Sequence, residues 1–526
     1  MTTVNCYNII GIILHGRNRE ATTLQYLNGM VLLHGGCTHQ DMKRLAKLGV
    51  CVFPETVRNK LQSWQSNLDE KLLEVKEKWC KGDSMTYQLV GDNWDKNIVP
   101  SYRTSKNSTQ SIHLFNVIGV IDRIVIKKEE GTPVRTVDSM TAVDFIPSEG
   151  DIDSLQKELT FLVARSVIQN IKQMEDLFGK IYPGHLEHIH SNEAGMKTSQ
   201  YSLGLFDCDE KKTADVIRLL QNLTEKYVPK KDGEIVEEVF FGGDRLTDEK
   251  IQVAQQAMRN ADSGLERLEG FISKIEDFHR LMNFLENCRM CSQILITRKI
   301  TGLILLKMTI SSATSVIQVF RLTALHQNLN SAVDMGDGYR VVRSAKFETP
   351  IYNRTNKVKY LIGSVHLTAL VSGTLPAHQS KRLIANRFIN ISGGKNNNLS
   401  LDEFVEILNR DTKNATHGFQ TKDSIVQHSK EFPHLVHAVK HFDAMCEVKK
   451  RKGFHKLPSY KEDVKKVLID LLSINGLEVR PGRTLHCRKI VQKSSNPFSD
   501  CFVGLPVMIA RHKPELPFRR LRNKNM

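Results

Sequence analysis

The spacing of apolar residues along the chain predicts helices at the amino terminus. Thr38 followed by Asp41 is typical of a capped helix start, with a side-chain acceptor first and an acid three residues later. A second helix is predicted from Pro54, and its apolar stripe continues with helical spacing as far as Trp79. We therefore predict a helical region over residues 1–82, which includes a helix-turn-helix-like hairpin.

From about residue 83 the pattern changes to short apolar, β-branched runs that alternate with helical segments. Two of these runs are predicted strands that end in an aspartate, at Gly91-Asp92 and at Gly243-Asp244. Strands that alternate with helices indicate an α/β sheet. The predicted divisions are an α/β core over 83–246, a mainly helical insertion over 247–399, helices over 400–480 that complete the core, and a basic irregular tail over 481–526.

Composition adds a partner class to this picture. The 526 residues include 74 Lys and Arg against 58 Asp and Glu, a formal net charge of +16, while 40% apolar and 25% charged residues are ordinary for a globular protein. An excess of positive charge favours polyanions, either nucleic acid or an acidic membrane surface. A solvated basic surface without a dedicated partner is the alternative.

The chain shows neither a secretory signal nor an apolar segment of span length. The most apolar stretch, residues 300–322, is interrupted by Lys307 and Arg321, so we interpret it as a buried helix. We expect a soluble protein of the nucleus or cytoplasm that is neither secreted nor transmembrane. Cys288 and Cys291 form a C-x-x-C pair without a second pair at short spacing, which argues against a zinc site.

Three acids could form a catalytic centre. Asp92 and Asp244 follow glycines at the predicted ends of neighbouring strands, and Glu406 lies on a helix predicted from Ser400. Three converging carboxylates would bind Mg²⁺ or Mn²⁺, hard ions that prefer oxygen ligands and that assist cleavage of phosphodiesters. This arrangement is ribonuclease-H-like, as in nucleases and cut-and-paste transposases. An aspartate that forms a turn or caps a helix is the alternative for each position.

Basic residues at two places could contact nucleic acid. Arg58 and Lys60 lie on the second helix of the predicted amino-terminal hairpin, and Lys449, Lys450, Arg451 and Lys452 form a basic run near the carboxyl end. Such residues can contact phosphates or direct nuclear import, although solvated charge is the simpler interpretation of a basic run alone.

Several short motifs occur in a fixed order and carry a resemblance. They are Ile12–Asn18, Leu45–Cys51, Gly91–Asp95, Gln110–His113, Gly243–Thr247, Arg267–Gly270, Asp277–His279, Gly336–Gly338, Asn353–Tyr360, Arg387–Asn390 and Asp402–Arg410. With these motifs the chain resembles the eukaryotic family of domain of unknown function 6589, over roughly residues 9–482. This family often appears in transposon-like genes, so the resemblance implies an α/β, transposase-like core.

The chain also departs from the family pattern. Arg245 replaces a usual Gln, Gly363 a usual Glu, Ile407 a usual His, and Ala385 or its neighbour a usual Trp. If the replaced Glu is catalytic in the family, this copy is inactive. Arg245 could also compete with a metal ion for the carboxylate of the preceding aspartate.

These observations lead to two main hypotheses about function. The first is a transposase-derived DNA-binding protein with a ribonuclease-H-like mixed sheet, a large helical insertion and, if catalysis is retained, metal-dependent DNA strand cleavage or transfer by Asp92, Asp244 and Glu406. The second is a catalytically inactive, domesticated protein that binds DNA or chromatin. A basic scaffold without a DNA role is a third alternative, and a homo-oligomer is compatible with each of them.

Overall fold

A computed structural model gives the fold of the chain. It describes residues 3–18, 22–65, 68–99, 102, 108–128, 135–286, 306–308, 312–416, 421–448, 460–473, 485–487 and 502–512. The basic run Lys449–Lys452 and the Cys288–Cys291 pair lie outside the described residues. No helix within the described ranges is long and apolar enough to cross a membrane.

Helices account for most of the described chain. Their bounds are α1 Thr3–Arg17, α2 Thr23–His34, α3 His39–Lys47, α4 Pro54–Gln65, α5 Glu70–Cys80, α6 Glu149–Asn170, α7 Lys172–Phe178, α8 Ser191–Ala194, α9 Thr213–Tyr227, α10 Arg245–Ala257, α11 Ser312–Met335, α12 Gly338–Arg354, α13 Val358–Ala369, α14 Ala377–Ala385, α15 Leu401–Ala415, α16 Lys422–His428, α17 Phe432–Met445, α18 Tyr460–Ser473 and α19 Leu505–His512.

Five strands form one mixed sheet, and shorter strands form three small pairs. The strands are β1 Tyr87–Ile98, β2 Gln110–Ile121, β3 Gln200–Phe206, β4 Lys230–Lys231, β5 Glu234–Ile235, β6 Val239–Gly243, β7 Phe271–Ile275, β8 Leu306–Met308, β9 Phe388–Ile389, β10 Leu399–Ser400 and β11 Leu485–Cys487. The large sheet has the order β3-β2-β1-β6-β7. β2 is antiparallel to both β1 and β3, whereas β6 is parallel to β1. The prediction of a mixed α/β chain is confirmed.

The chain divides into two compact units. The first comprises Met1–Asp122, Ser199–Lys274 and Asp402–Gly453, and the second comprises Arg123–Thr198, Ile275–Leu401 and Phe454–Met526. The large sheet belongs almost entirely to the first unit. α10 and β7 also belong to this unit for the most part, although they lie within the segment predicted to be a helical insertion.

Four local predictions differ from the structure. The stretch 300–322, interpreted as a buried helix, contains the strand β8. α4 ends at Gln65 and α5 begins at Glu70, so they are separate helices, and Asp69 just before α5 accepts a hydrogen bond from the Tyr227 hydroxyl. β7 lies in a segment that was predicted to be helical. Its five residues are too few to show a clear alternation of apolar and polar side chains. β1 continues past Asp92 to Ile98 because β2 pairs with its whole length.

The sheet of the first unit is covered by helices on both faces. Tyr87, Leu89 and Phe241 pack against apolar residues of α5, α9 and α10 in one cluster. Trp94 and Leu114 pack in a second cluster with residues of α2, α4 and α17. Burial on both faces explains why β2 is a nearly continuous apolar run rather than an alternating one.

The second unit contains a fully buried ion pair. Arg387, in the motif before the Gly393-Gly394 loop, donates from Nε and Nη2 to the two carboxylate oxygens of Asp277, at 2.8 and 2.9 Å. Neither side chain is exposed to solvent. Arg280 also pairs with Asp277, at 3.2 Å, and with Glu348, at 3.2 Å. Because a buried charge is costly without its partner, replacing Arg387 or Asp277 alone should lower the stability of the second unit.

We predict that Arg387→Met lowers the free energy of unfolding of the second unit by about 3–5 kcal/mol, because Asp277 is left buried and short of one partner. Chemical denaturation followed by circular dichroism measures this loss. Arg218→Met is the matched control, since Arg218 is 69% exposed beside Asp215 and should contribute less than about 1 kcal/mol. Equal losses in both variants would contradict the prediction.

Candidate functional site

The pairing of β1 with β6 sets the position of the two predicted aspartates. Leu89 is opposite Phe241, and Val90 is opposite Gly242. When this parallel register is continued by two residues, Asp92 comes level with Asp244, which immediately follows β6. Neighbouring strands lie about 4.8 Å apart, and level residues of parallel strands point to the same face. The two carboxylates predicted to converge therefore do come from adjacent positions.

The glycine before each aspartate is required by space. A Cβ atom at Gly91 would come within 2.3 Å of the Phe115 ring, and one at Gly243 would come within 2.5 Å of the Thr247 side chain and 3.1 Å of the Gly91 carbonyl oxygen. Neither glycine has a positive φ angle. Both glycines are therefore needed for close packing and not for a left-handed backbone conformation.

Asp244 caps the first turn of α10. Its Oδ1 accepts a hydrogen bond of 2.7 Å from the Thr247 backbone N–H. Among the described residues, no side chain or backbone group donates to its Oδ2 atom, and the side chain is partly exposed. The helix-cap alternative is therefore correct for Asp244, and it leaves one carboxylate oxygen available to a ligand.

Glu210 is a carboxylate of this region that the sequence did not reveal. It is only 2% exposed, its Oε1 accepts a hydrogen bond of 2.6 Å from the Thr247 hydroxyl, and its Oε2 accepts one from the Asn93 amide. Burial raises the pKa of Glu210, and the negative charge of nearby Asp244 raises that pKa further. Only the fold identifies Glu210, because it lies in a short loop before α9, away from any strand end.

An apolar cavity explains the burial of Glu210. Phe115, Cys208, Val216, Leu219, Leu220, Phe241, Thr247, Lys250 and Ile251 line this cavity together with Glu210. The surrounding rings and aliphatic groups cannot solvate a charged carboxylate. Thr247 therefore links the two acids: its hydroxyl is bound by the buried Glu210, and its backbone N–H orients the partly exposed Asp244.

Helix α15 brings a neutral amide to Asp92. Asn409 donates to Asp92 Oδ2 and to the Asn93 carbonyl oxygen, both at 3.0 Å, and it accepts from Asn116 at 2.8 Å. Further along the helix, Thr412 accepts from the indole N–H of Trp94 at 3.0 Å. These contacts fix α15 alongside β1, so the helix predicted from Ser400 does reach the sheet at Asp92.

Glu406 lies on the same helix, three residues before Asn409, and its side chain is exposed. Among the described residues, no group of three or more His, Cys, Asp or Glu side chains is arranged to hold a metal ion. Mg²⁺ can bind through one or two protein carboxylates together with substrate phosphates, so a site that uses Asp92 and Asp244 alone is compatible with this chemistry and stays a prediction. Glu406 as a third ligand stays a prediction.

Arg245 does not pair with Asp244. Its guanidinium lies 3.1 Å from the Asp248 carboxylate and 4.0 Å from that of Glu249, both further along α10. The competition with a metal ion that the sequence suggested for this arginine is therefore absent from this geometry.

The predicted amino-terminal hairpin has its expected elements. Thr38 caps α3, Gly49 follows the helix with a positive φ, and α4 begins at Pro54. Arg58 is partly exposed, and the exposed Lys60 lies over the Trp64 ring with its ammonium 5.7 Å from the ring centroid. A contact of either residue with DNA stays a prediction.

The histidine cluster over residues 185–190 is structural. His185 bonds to Asn396 at 2.7 Å and to Ser191 at 3.0 Å, while His188 bonds to the Met335 carbonyl oxygen at 3.1 Å. These contacts tie a polar loop of the second unit to its neighbours.

A family comparison matches two segments of the chain, which include Glu210, Asp244 and Asn409 but not Asp92. The model of a family of unknown function, DUF6589, matches residues 135–291 and 312–455, which together are more than half of the chain. No curated protein and no solved structure matches the chain.

We predict that Glu210→Gln raises the melting temperature at neutral pH. Because the pKa of Glu210 is raised in the folded state, its stabilising contribution is present below the pKa of an unfolded Glu, about 4.3, and is lost as the pH rises through the folded value. Gln is neutral throughout, and Asn93 can turn its amide to complement it.

Thermal unfolding at pH 4 and pH 7.5 tests this difference. The melting temperature of Glu210→Gln should exceed that of the parent at pH 7.5 and approach it at pH 4. Glu225→Gln, an exposed acid on α9, should leave both values unchanged. A variant that is less stable than the parent, with a greater loss at pH 7.5 than at pH 4, would show instead that Glu210 is held ionised in the folded state.

Proposed function

The chain belongs to the family of domain of unknown function 6589, and from this membership and the paired aspartates we propose a transposase-derived protein that cleaves or transfers DNA strands with a divalent metal ion. The proposed core is ribonuclease-H-like. Asp92 and Asp244 are its metal ligands, and Glu406 is the candidate third ligand. The observation that carries the proposal is the register that makes Asp92 and Asp244 level on parallel strands.

The sheet order supports a ribonuclease-H-like core. Three antiparallel strands are followed by α9, then by a strand parallel to the first, then by α10 and a fifth strand at the sheet edge. This is the strand order expected of such a core, with one acid on the first strand and one after the fourth. Helix α15 follows a long segment after the fifth strand of the sheet and bonds to Asp92 through Asn409.

The chemistry of the paired acids favours a cation. Two aspartates on adjacent strands repel each other, and one oxygen of Asp244 has no donor among the described residues. When bound, a divalent ion such as Mg²⁺ or Mn²⁺ activates water and stabilises the leaving oxygen of a phosphodiester. Glu210 acts as a positioning residue, because it holds the Thr247 hydroxyl while the Thr247 N–H orients Asp244.

The charge of the chain supports DNA as the substrate. A net charge of +16 attracts a polyanion, and Arg58, Lys60 and the basic run Lys449–Lys452 are the candidate phosphate contacts. Binding through phosphates releases counterions, so affinity should fall steeply with salt. The basic run and the association of such proteins with DNA together favour the nucleus as the site of action.

The second candidate is a DNA- or chromatin-binding protein that has lost catalysis. Asp92 already accepts a hydrogen bond from Asn409, a neutral amide, and the Glu406 side chain is exposed rather than buried beside it. Gly363, which replaces a usual Glu of the family, is a further reason to consider a protein without catalysis. On this alternative the carboxylate pair persists as part of the fold, while the basic surface retains its role.

We predict that Asp244→Asn abolishes metal-dependent nicking of plasmid DNA while the protein stays folded. Asn is as good a helix cap as Asp, so the bond from the Thr247 N–H is kept and only the charge is removed. The rate with Mg²⁺ or Mn²⁺ should fall about 100-fold or more, the scale of losing one group that stabilises transition-state charge. Plasmid relaxation on gels measures this rate.

Asp262→Asn, which removes an exposed acid outside the site, is the control and should nick at the parental rate. Salt-dependent DNA binding should be equal in all three proteins. Nicking that persists in Asp244→Asn would exclude this aspartate as a ligand. A folded parent that binds DNA without nicking it would favour the second candidate.

A further inference from the structure

A long apolar surface is exposed on α6 and α7, apart from the acids discussed above. It comprises apolar residues in the second half of α6, the residue that joins α6 to α7, the apolar residues of α7, and one residue of the turn after α7. We name this surface the apolar stripe. Its members are Val163, Val167, Ile171, Met174, Leu177, Phe178 and Ile181. Leu177 is 65% exposed and Ile181 is 77% exposed. A row of large apolar side chains in water is unfavourable and usually marks an interface.

The stripe is held in place by the fold. The Tyr182 ring stacks on Phe161 at a centroid distance of 5.6 Å, and the Tyr182 hydroxyl donates to the Phe161 carbonyl oxygen. Arg165 donates to the Gly184 carbonyl oxygen at 3.2 Å. The chain after α7 is thereby bonded back to α6, so the apolar residues between these contacts are presented on a fixed hairpin.

The other side of α6 is anchored in the second unit. Glu158 is buried and accepts a hydrogen bond of 2.8 Å from Asn328, and Arg343 pairs with its other oxygen. Phe161 is 7% exposed. Because the polar anchors of the helix face the unit while the stripe faces away, rotation of α6 cannot bury the stripe within the same unit.

The charges around the stripe favour a second copy of the chain as its partner. The ionisable residues of α7 and the turn after it are Lys172, Glu175, Asp176 and Lys180, two positive and two negative. With Arg165 on the α6 half, the stripe from Val163 to Ile181 has a net charge of only +1 in a chain of net charge +16, so electrostatic repulsion of a second copy is weak here. A surface so close to neutral gives DNA or an acidic membrane little electrostatic attraction.

The size of the stripe also fits self-association. Seven such side chains expose on the order of several hundred Å² of apolar area, comparable with the ~800 Å² that each partner contributes to a stable interface. Two-fold symmetric dimers, in which the same surface meets itself, are the commonest oligomers. We propose that the apolar stripe is the dimer interface of this protein and that its occupant is the stripe of a second copy.

Sedimentation velocity of the full chain over a range of concentrations tests the proposal. The experiment uses nuclease-treated protein at high salt, so that DNA cannot bridge two copies. The parent should form dimers, and the double variant Leu177→Glu/Ile181→Glu should raise the dimer dissociation constant at least about 100-fold, because each new carboxylate is desolvated in the interface. Circular dichroism should be unchanged, since both side chains are exposed in one copy.

Val143→Glu is the matched control, because Val143 is an apolar residue of the same unit that is 73% exposed outside the stripe. It should dimerise as the parent does. A parent that is monomeric at every concentration would overturn the proposal, and so would a dimer that survives the double variant. In either case the stripe would have a different occupant, such as another protein.

Discussion

The parallel pairing of β1 with β6 is the constraint on which the candidate site depends. A pairing fixed at Leu89 with Phe241 allows one register only, since a slip of one residue would move every side chain of the short strand β6 to the opposite face. That register makes Asp92 and Asp244 level. It also brings the Gly91 carbonyl oxygen so close to Gly243 that a side chain at this glycine has little room. Gly243 thus leaves room for the neighbouring backbone and the Thr247 side chain, whereas Gly91 leaves room for the Phe115 ring.

The carboxylates of Glu210 and Asp244 are in different environments. Glu210 is buried against apolar groups, and its pKa is raised, whereas Asp244 keeps a partly exposed oxygen. Thr247 joins the two acids, with its hydroxyl on one and its N–H on the other. The second unit shows the opposite use of charge, since Asp277 and Arg387 neutralise each other in its core.

The sequence predicted the parts of the fold that strong periodicity or punctuation marks. Thr38 and Pro54 led to the correct starts of α3 and α4, and the Gly-Asp pairs marked the adjacent strands β1 and β6. Convergence of the Asp92 and Asp244 carboxylates stays a prediction. The prediction failed at β7, where five residues are too few to reveal an alternation of apolar and polar side chains. It also failed at the end of β1, whose length is set by its partner β2. Glu210 could not be found, because its environment is created by α9, α10 and the sheet together. Asn409 belonged to a recognised motif, but its contact with Asp92 required knowing how α15 lies along β1.

The central claim is that Asp92 and Asp244 are carboxylates of one metal site. Anomalous diffraction at the manganese edge, from crystals of the full chain grown with Mn²⁺, tests it most directly. The account predicts an anomalous peak within coordination distance of both the Asp92 and the Asp244 carboxylates, absent from crystals of Asp244→Asn. Crystals that lack this peak at a saturating concentration of Mn²⁺, or that show manganese bound only elsewhere, would contradict the claim and leave the pair as a structural feature of the fold.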